Sequence, residues 1–151
     1  MNNSPSVTEK MLDSLRASLI EKNKCGEMSD KRLRHTLEVE KMAERLGEIY
    51  APEKLTYLRA AALLHDITKE RSFDEQIKLC AEYDIELGEV EYYAGKTLHA
   101  MTGAALIPKI YPEFDIREIT ESHRKGKFLT SVFTPPNSSL AYTRYWLASI
   151  I

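Results

Sequence analysis

The chain has 151 residues, of which 43% are hydrophobic and 29% are charged, and its formal net charge is −2. This length supports one domain with a hydrophobic core, and the small charge gives no general electrostatic reason to bind nucleic acid or an anionic membrane. No apolar run approaches the roughly 20 residues of a transmembrane helix, and the N-terminus lacks the basic-then-apolar order of a secretion signal. We therefore expect a cytoplasmic protein, in which Cys25 and Cys80 are two free thiols rather than a disulfide.

In chain order, the sequence predicts an all-α fold, because no run shows sustained period-two alternation and no short hairpin turn signal occurs. Capping residues mark two helix starts: Asp30 for the second helix, and Ser72 with Glu75, a capping box, for the fourth. The predicted helices cover about residues 7–22, 31–50, from Pro52 to the His65–Asp66 pair, from Ser72 onward, 97–110 and 115–122.

The last part of the chain differs in composition. Residues 122–151 contain no Asp or Glu, although the whole chain has 23. The segment "FLTSVFTPPNSSLAYTRYWLASII" also combines β-branched and aromatic residues with a Pro-Pro break, and it shows no clear helical face. We therefore divide the chain into a helical domain over residues 1–127 and an atypical tail over residues 128–151.

Three of the four histidines fall on apolar stripes with helical spacing. The stripes are His35, Val39, Met42, Leu46 and Ile49 on the second helix, Leu55, Leu58, Ala62 and His65 on the third, and His99, Gly103, Leu106 and Ile110 on the fifth. One interpretation is that each is a core histidine with a hydrogen-bonding neighbour. The alternative is a shared metal, which would satisfy several buried imidazoles and a carboxylate together.

The pair His65–Asp66 closes the run "AALLHD". Adjacent residues on a regular helix point about 100° apart, so two neighbours do not normally bind one ion. At a partly unwound last turn, however, they can approach a metal from two directions. Lys69 follows three residues later, either to meet an anionic oxygen or simply as a cation favoured by the end of the helix.

Four stretches resemble HD-domain metal-dependent phosphohydrolases, and more closely the bacterial symmetrical bis(5'-nucleosyl)-tetraphosphatases of the YqeK group. The order and spacing agree over about residues 8–127. The matching stretches are "KRLRHTLEVEKMAERLGEIY" with Arg32 and His35, "YLRAAALLHDITKE" with His65, Asp66 and Lys69, "TLHAMTGAALIPK" with His99, Gly103 and Ala104, and, more loosely, "REITESHRKGK" with His123 and Gly126.

The resemblance implies an all-α HD-domain helical bundle that binds a divalent metal, with iron expected and manganese or zinc as alternatives. It implies hydrolysis of diadenosine tetraphosphate to two molecules of ADP. The implied metal ligands are His35, His65 and Asp66, while His99 and His123 either bind a second metal or contact phosphate. The implied contacts to polyphosphate are Lys69, Arg32, and Arg124 or Lys125, although Arg32 is equally compatible with a solvated surface charge.

The chain departs from this family pattern after the fourth histidine. The family continues into helices that supply a further aspartate to the metal site, whereas no carboxylate follows Glu121 here. We interpret the tail as read out of frame or as the product of a truncated gene, with a divergent but genuine tail as the alternative. Loss of a ligand and of covering helices predicts impaired activity, and exposed apolar surface that favours a partner or a homo-oligomer.

Two other functions therefore stay open. One is a different HD-domain phosphohydrolase, acting on a nucleoside monophosphate or a cyclic nucleotide. The other is a helical remnant that binds nucleotide without turnover, which the missing aspartate favours.

Overall fold

The computed structural model describes residues 7–88, 95 and 98–114 of the chain. No strand occurs in this part of the chain, which confirms the prediction of an all-α fold. None of its helices is long and apolar enough to cross a membrane. The predicted helix at 115–122 and the tail at 128–151 lie outside the described residues. The elements are α1 (Glu9–Lys24), α2 (Asp30–Tyr50), a 3₁₀ turn (Pro52–Lys54), α3 (Leu55–Leu64), α4 (Phe73–Glu82) and α5 (Leu98–Ile110).

The helix starts follow local capping chemistry, with one correction. Ser29, not Asp30, caps α2: its backbone is extended, and its side chain accepts a hydrogen bond from the backbone N–H of Arg32 at 3.1 Å. Asp30 is instead the first helical residue, where its negative charge lies at the positive end of the helix dipole. The capping box of Ser72 and Glu75 is present at α4 as predicted.

Helix α3 occupies the centre of the domain. All residues from Ala60 to Leu64 are buried, so the second half of this short helix is apolar on every side, and the helix packs against both α1 and α2. A side chain at Gly47 of α2 would bring its Cβ to 2.8 Å from Cδ1 of Leu55, and the glycine therefore allows α2 and α3 to approach closely. The main core also contains Leu12, Leu15 and Leu19 of α1, with Ile107, Tyr111 and Phe114 from the end of α5 and the residues after it.

The predicted apolar stripe of α2 is rotated relative to the face that is actually buried. Ile49 is 69% exposed, which contradicts its assignment to the inward face. The buried face instead consists of Thr36, Val39, Glu40, Ala43 and Gly47, because α3 approaches α2 most closely at Gly47 and not at the large residue Ile49. His35 consequently lies at the edge of this face, with a side chain that is 32% exposed.

Two further apolar residues are more exposed than their helical spacing predicts. In the first helix, the spacing of Leu12, Leu15, Leu19 and Ile20 predicts one inward face. Ile20 is nevertheless 39% exposed, because it lies one position beyond the buried row that ends at Leu19. Ile110 is 40% exposed, because Ile107 points into the core and Ile110 belongs to the last turn of α5, after Pro108. Both corrections change the predicted burial of a residue at the edge of an inward face. The helices themselves lie where the sequence predicts them.

A buried carboxylate joins the first three helices. Glu40 of α2 accepts hydrogen bonds from Arg16 of α1, at 2.8 Å between Nε and Oε2, and from Arg59 of α3, at 3.1 Å between Nε and Oε1. The Glu40 side chain is only 7% exposed. Two guanidinium groups therefore compensate its charge inside the helix packing.

Candidate metal centre

The His65–Asp66 pair lies in the chain segment that follows α3. The helix ends at Leu64, and the next residues form successive turns in which Ile67 N–H donates to the Leu64 carbonyl at 3.2 Å and Lys69 N–H to the Asp66 carbonyl at 3.0 Å. The backbone is therefore no longer a regular α-helix at the pair, as the sequence predicts. We call residues 65–70 the HD turn. Both His65 and Asp66 are buried, each with 6% relative exposure.

Helix α2 brings a second imidazole to this turn. One ligand atom from each of His35, His65 and Asp66 can be chosen so that all lie within 4.8 Å of one another. Nε2 of His35 lies 3.6 Å from Oδ2 of Asp66, and Nε2 of His65 lies 3.4 Å from the same oxygen. Two ligands bound to one ion at about 2.1 Å are separated by about 3.0 to 3.4 Å at octahedral to tetrahedral angles. The His65 separation lies within this range and the His35 separation exceeds it by 0.2 Å, so a small movement of His35 would let the three side chains hold a divalent metal.

The hydrogen bonding of His65 is consistent with that role. Its Nδ1 lies 2.6 Å from the backbone carbonyl oxygen of Ala62, which only accepts, so Nδ1 carries the proton. In the neutral ring the lone pair is then on Nε2, which faces the carboxylate of Asp66. Two lone pairs facing each other are stabilised by a cation between them, and a ring N–H bound to a carbonyl is the usual outer contact of a metal-binding histidine.

Electrostatics favour the protonation states that bind metal. Burial raises the pKa of the Asp66 carboxyl, but interactions with His65, Arg32 and His99 outweigh it and hold that pKa well below its usual range. Burial, followed by the electrostatic interaction with His65, lowers the pKa of the His35 imidazole, while Asp66 opposes that shift. These shifts favour an ionised Asp66 and a neutral His35 at neutral pH, and carboxylate and neutral imidazole are both good metal ligands.

Arg32 is placed inside the centre rather than in solvent. Its Nη1 forms an ion pair with Oδ2 of Asp66, and the Arg32 side chain is 19% exposed. Nε of Arg32 is buried and has no hydrogen-bond partner among the described residues. The interpretation of Arg32 as a solvated surface charge is thus wrong, and its guanidinium contacts the same carboxylate oxygen that faces both histidines.

His99 reaches the centre from α5. Its Nε2 lies 3.4 Å from Oδ1 of Asp66, the oxygen that the other two histidines do not face. Nζ of Lys69 lies 3.0 Å from the same nitrogen of His99. Burial lowers the pKa of the Lys69 ammonium, and Arg32 lowers it further, whereas Asp66 opposes both. His99 and Lys69 therefore form a second side of the centre, next to the three candidate ligands.

Two cavities flank the HD turn and differ in charge. The first, of about 460 Å³, contains Asp66 and Arg32 together with the carboxylates Glu27, Glu70 and Glu75. The second, of about 440 Å³, has no carboxylate among its described lining residues, which are Lys69, Arg71, Phe73, Gln76, Gly95 and His99. The second cavity is accordingly the one suited to an anion.

The structure brings together six of the nine residues that the sequence predicts for the site. His35, His65, Asp66, His99, Lys69 and Arg32 all lie within this one region. The other three, His123, Arg124 and Lys125, lie outside the described residues, so their roles stay predictions.

Sequence reasoning missed the polar residues that support the HD turn. Gln76, Thr68 and Thr102 are 4%, 1% and 0% exposed and hydrogen-bond to one another beneath the turn. Glu70 binds Ser29, the cap of α2, with 2.9 Å between the Ser29 backbone nitrogen and Oε2. The one available signal was that Gln76 lies four residues before Cys80 on the inward face of α4, where a polar side chain needs a buried partner.

Comparison with known proteins assigns the chain to a family. The HD-domain family matches residues 32–144, which is more than half of the chain and includes α2, the HD turn and α5. This range extends beyond residue 127, and the division predicted there stays a prediction. Searches of curated proteins and of solved structures each found no match. HD domains are all-α and bind divalent metals, and they form a superfamily of metal-dependent hydrolases. The protein in which α2, α3 and α5 surround this His-Asp turn is thus a member of the HD-domain family.

Proposed function

We propose that this chain is a metal-dependent phosphohydrolase that cleaves diadenosine tetraphosphate into two molecules of ADP. The observation that carries the proposal is the position of the three candidate ligands beside the cavity of Lys69, Arg71 and His99, whose described lining residues include no carboxylate. Such a cavity suits a polyphosphate, whose charge must be balanced next to the reacting phosphorus. The four stretches that resemble the symmetrical tetraphosphatases support the choice of substrate.

The roles of the residues follow from their positions. His35, His65 and Asp66 would hold the metal, with iron expected and manganese or zinc as alternatives. When bound, a divalent metal supplies a water of lowered pKa and polarises a phosphoryl oxygen. Lys69, 3.0 Å from His99, is placed to donate to a phosphate oxygen on the cavity side of Asp66. Arg71 lines the same cavity and is an additional candidate contact to the phosphate chain.

A second candidate function has one specific observation in its favour. Residues 122–151 contain no Asp or Glu, so this segment does not supply the aspartate that the family pattern expects after the fourth histidine. A centre without that carboxylate should bind metal more weakly. A protein that binds nucleotide without hydrolysing it is therefore the alternative.

The test is ADP release from diadenosine tetraphosphate by the purified full-length chain with Fe²⁺ or Mn²⁺. Variants His65→Ala and Asp66→Ala provide the comparison, and His35→Ala tests the third ligand. We expect ADP release by the original chain and its loss, by a factor of a hundred or more, in each variant. Equal rates in all four proteins would exclude this site.

The substrate is tested separately by measuring phosphate release from nucleoside monophosphates and hydrolysis of cyclic nucleotides. Turnover of these substrates without ADP release would assign a different phosphohydrolase activity to the same centre. Calorimetric binding of the tetraphosphate without product after several hours would favour the nucleotide-binding alternative.

A further inference from the structure

A buried polar network joins the HD turn to α4 and α5. The Gln76 side chain of α4 donates from Nε2 to the Thr68 carbonyl oxygen at 2.6 Å, and its Oε1 accepts from the Thr102 hydroxyl at 2.5 Å. The Thr68 hydroxyl donates to the backbone carbonyl of His99 at 2.9 Å. We call Thr68, Gln76 and Thr102 the Gln76 network.

The chemistry of the partners fixes the orientation of the Gln76 amide. The Thr68 carbonyl oxygen has no hydrogen, so the amide NH₂ must face it and the amide oxygen must face the Thr102 hydroxyl. Rotating the amide by 180° would place two acceptors against each other at 2.6 Å. In a site where all three residues are at most 4% exposed, such an unpaired arrangement is strongly unfavourable. The Gln76 amide therefore has one stable orientation, whereas the Thr102 hydroxyl also lies 3.1 Å from the Leu98 carbonyl oxygen.

The network acts on the backbone at two points of the candidate centre. Thr68 lies two residues after Asp66 and one before Lys69, so the bond from Gln76 to its carbonyl anchors the HD turn. The bond from Thr68 to the carbonyl of His99 anchors the first turn of α5, whose imidazole lies 3.4 Å from Asp66. The hydroxyl oxygen of Thr102, one helical turn after His99, lies 2.9 Å from the hydroxyl oxygen of Thr68. The separation of His99 and Asp66 is thus set by hydrogen bonds from outside the centre.

Packing alone does not account for a glutamine at this position. Methionine would occupy a similar volume on the buried face of α4 without the cost of burying an amide. We propose that Gln76 and Thr102 are positioning residues, which hold His99 and the HD turn at the separation that metal and anion binding require. This inference rests on the proposed metal centre, because the positions of His99 and the HD turn affect function only if that centre binds metal and anion.

The decisive comparison is Thr102→Val against Thr102→Ser. Valine keeps the shape of threonine and removes the hydroxyl, whereas serine keeps the hydroxyl and removes a methyl group. If Thr102 acts only by packing, Thr102→Ser should disturb the site more than Thr102→Val. If Thr102 acts through its hydrogen bonds, Thr102→Val should disturb the site more than Thr102→Ser. Gln76→Met is the second variant, and Leu19→Ala in α1 is the control, since it disturbs the core at a buried site outside the network.

The first readout is the imidazole spectrum of metal-free protein with ¹³C-labelled histidine, in which the His99 signal is assigned by its loss in His99→Gln. We expect Thr102→Val and Gln76→Met to move this signal toward the position of an unfolded-chain histidine, whereas Thr102→Ser and Leu19→Ala leave it in place. An unmoved signal in folded Thr102→Val, or an equal displacement in Thr102→Ser, would overturn the proposal.

The second readout is calorimetric titration with Mn²⁺. Outer contacts of a metal site typically contribute about ten- to a hundredfold in affinity, so we expect Mn²⁺ to bind about tenfold more weakly to Thr102→Val and Gln76→Met. Unchanged affinity in both variants would contradict the inference. If the original chain binds no Mn²⁺, the proposed function fails, but the His99 signal still decides whether the network positions His99.

Discussion

Arg32 and Asp66 form an ion pair at the carboxylate oxygen that also faces His35 and His65. The positive charge of the Arg32 guanidinium therefore lies beside the Asp66 carboxylate, where a divalent metal is expected to bind. Because both partners are largely buried, the pair compensates a carboxylate that would otherwise be costly to keep charged. Metal binding at Asp66 should accordingly compete with Arg32.

This competition predicts an unusual result for Arg32→Gln. The metal-free variant should be less stable, because Asp66 loses its compensating charge, yet it should bind Mn²⁺ about threefold more tightly or better, since no cation has to be displaced. Thermal unfolding with and without Mn²⁺ measures both effects. Arg59→Gln is the matched control: it also removes a guanidinium from a buried carboxylate, Glu40, but should leave the Mn²⁺-induced stabilisation unchanged. Weaker Mn²⁺ binding by Arg32→Gln would show that Arg32 orients Asp66 for the metal.

Lys69→Gln should affect substrate binding more than metal binding. The Lys69 ammonium faces His99 in the second cavity, where it is available to an anion, and a charge-assisted hydrogen bond to phosphate typically contributes about 1.5–3 kcal/mol. We expect KM for diadenosine tetraphosphate to rise about tenfold or more, with Mn²⁺ affinity changed by less than about threefold. Lys78→Gln, on an exposed position of α4, is the control and should match the original chain. A loss of Mn²⁺ binding in Lys69→Gln would argue against a phosphate contact.

Ser29→Ala should weaken the centre as well as the helix. Ser29 caps α2 and also binds Glu70, so it ties the start of the helix that carries His35 to the end of the HD turn. Loss of a cap typically costs about 1 kcal/mol in the free energy of unfolding. Thr8→Ala removes the corresponding cap of α1 and should cost a similar amount. Only Ser29→Ala should also weaken Mn²⁺ binding in a titration. If Ser29→Ala and Thr8→Ala have the same Mn²⁺ affinity, the Ser29–Glu70 contact does not support the site.

The two cysteines should differ in reactivity. Both are free thiols, as the sequence predicts; Cys25 is exposed and Cys80 is buried, and burial raises the pKa of the Cys80 thiol. Because the thiolate is the reactive form, Ellman's reagent should label Cys25 rapidly in the native protein and Cys80 only after unfolding. The Cys25→Ser variant should therefore show almost no rapid labelling. Rapid labelling of that variant would indicate that α4 opens in the native state.

The sequence predicted the structure best where the chemistry of neighbouring side chains restricts the backbone, as at the His65–Asp66 pair. A histidine next to an aspartate at the end of an alanine-rich run indicated an interrupted helix, and residues 65–70 are indeed turns. The rotation of α2 was not predictable from its apolar pattern, because the contact with α3 selects the small residue Gly47 over the large Ile49. The roles of Arg32 and Gln76 depend on partners that are far away in sequence, at Asp66 and Thr102, and spacing within one helix does not reveal such pairs.

The arrangement of Glu40 between Arg16 and Arg59 has a consequence for how this sequence can change over time. Replacing Glu40 alone would leave two guanidinium groups without their buried partner, and replacing one arginine would leave the carboxylate partly uncompensated. Replacing all three with apolar residues of similar size could be neutral, but each intermediate along that path is less stable. We therefore expect positions 16, 40 and 59 to be inherited as a unit, so that related chains carry either all three charges or none.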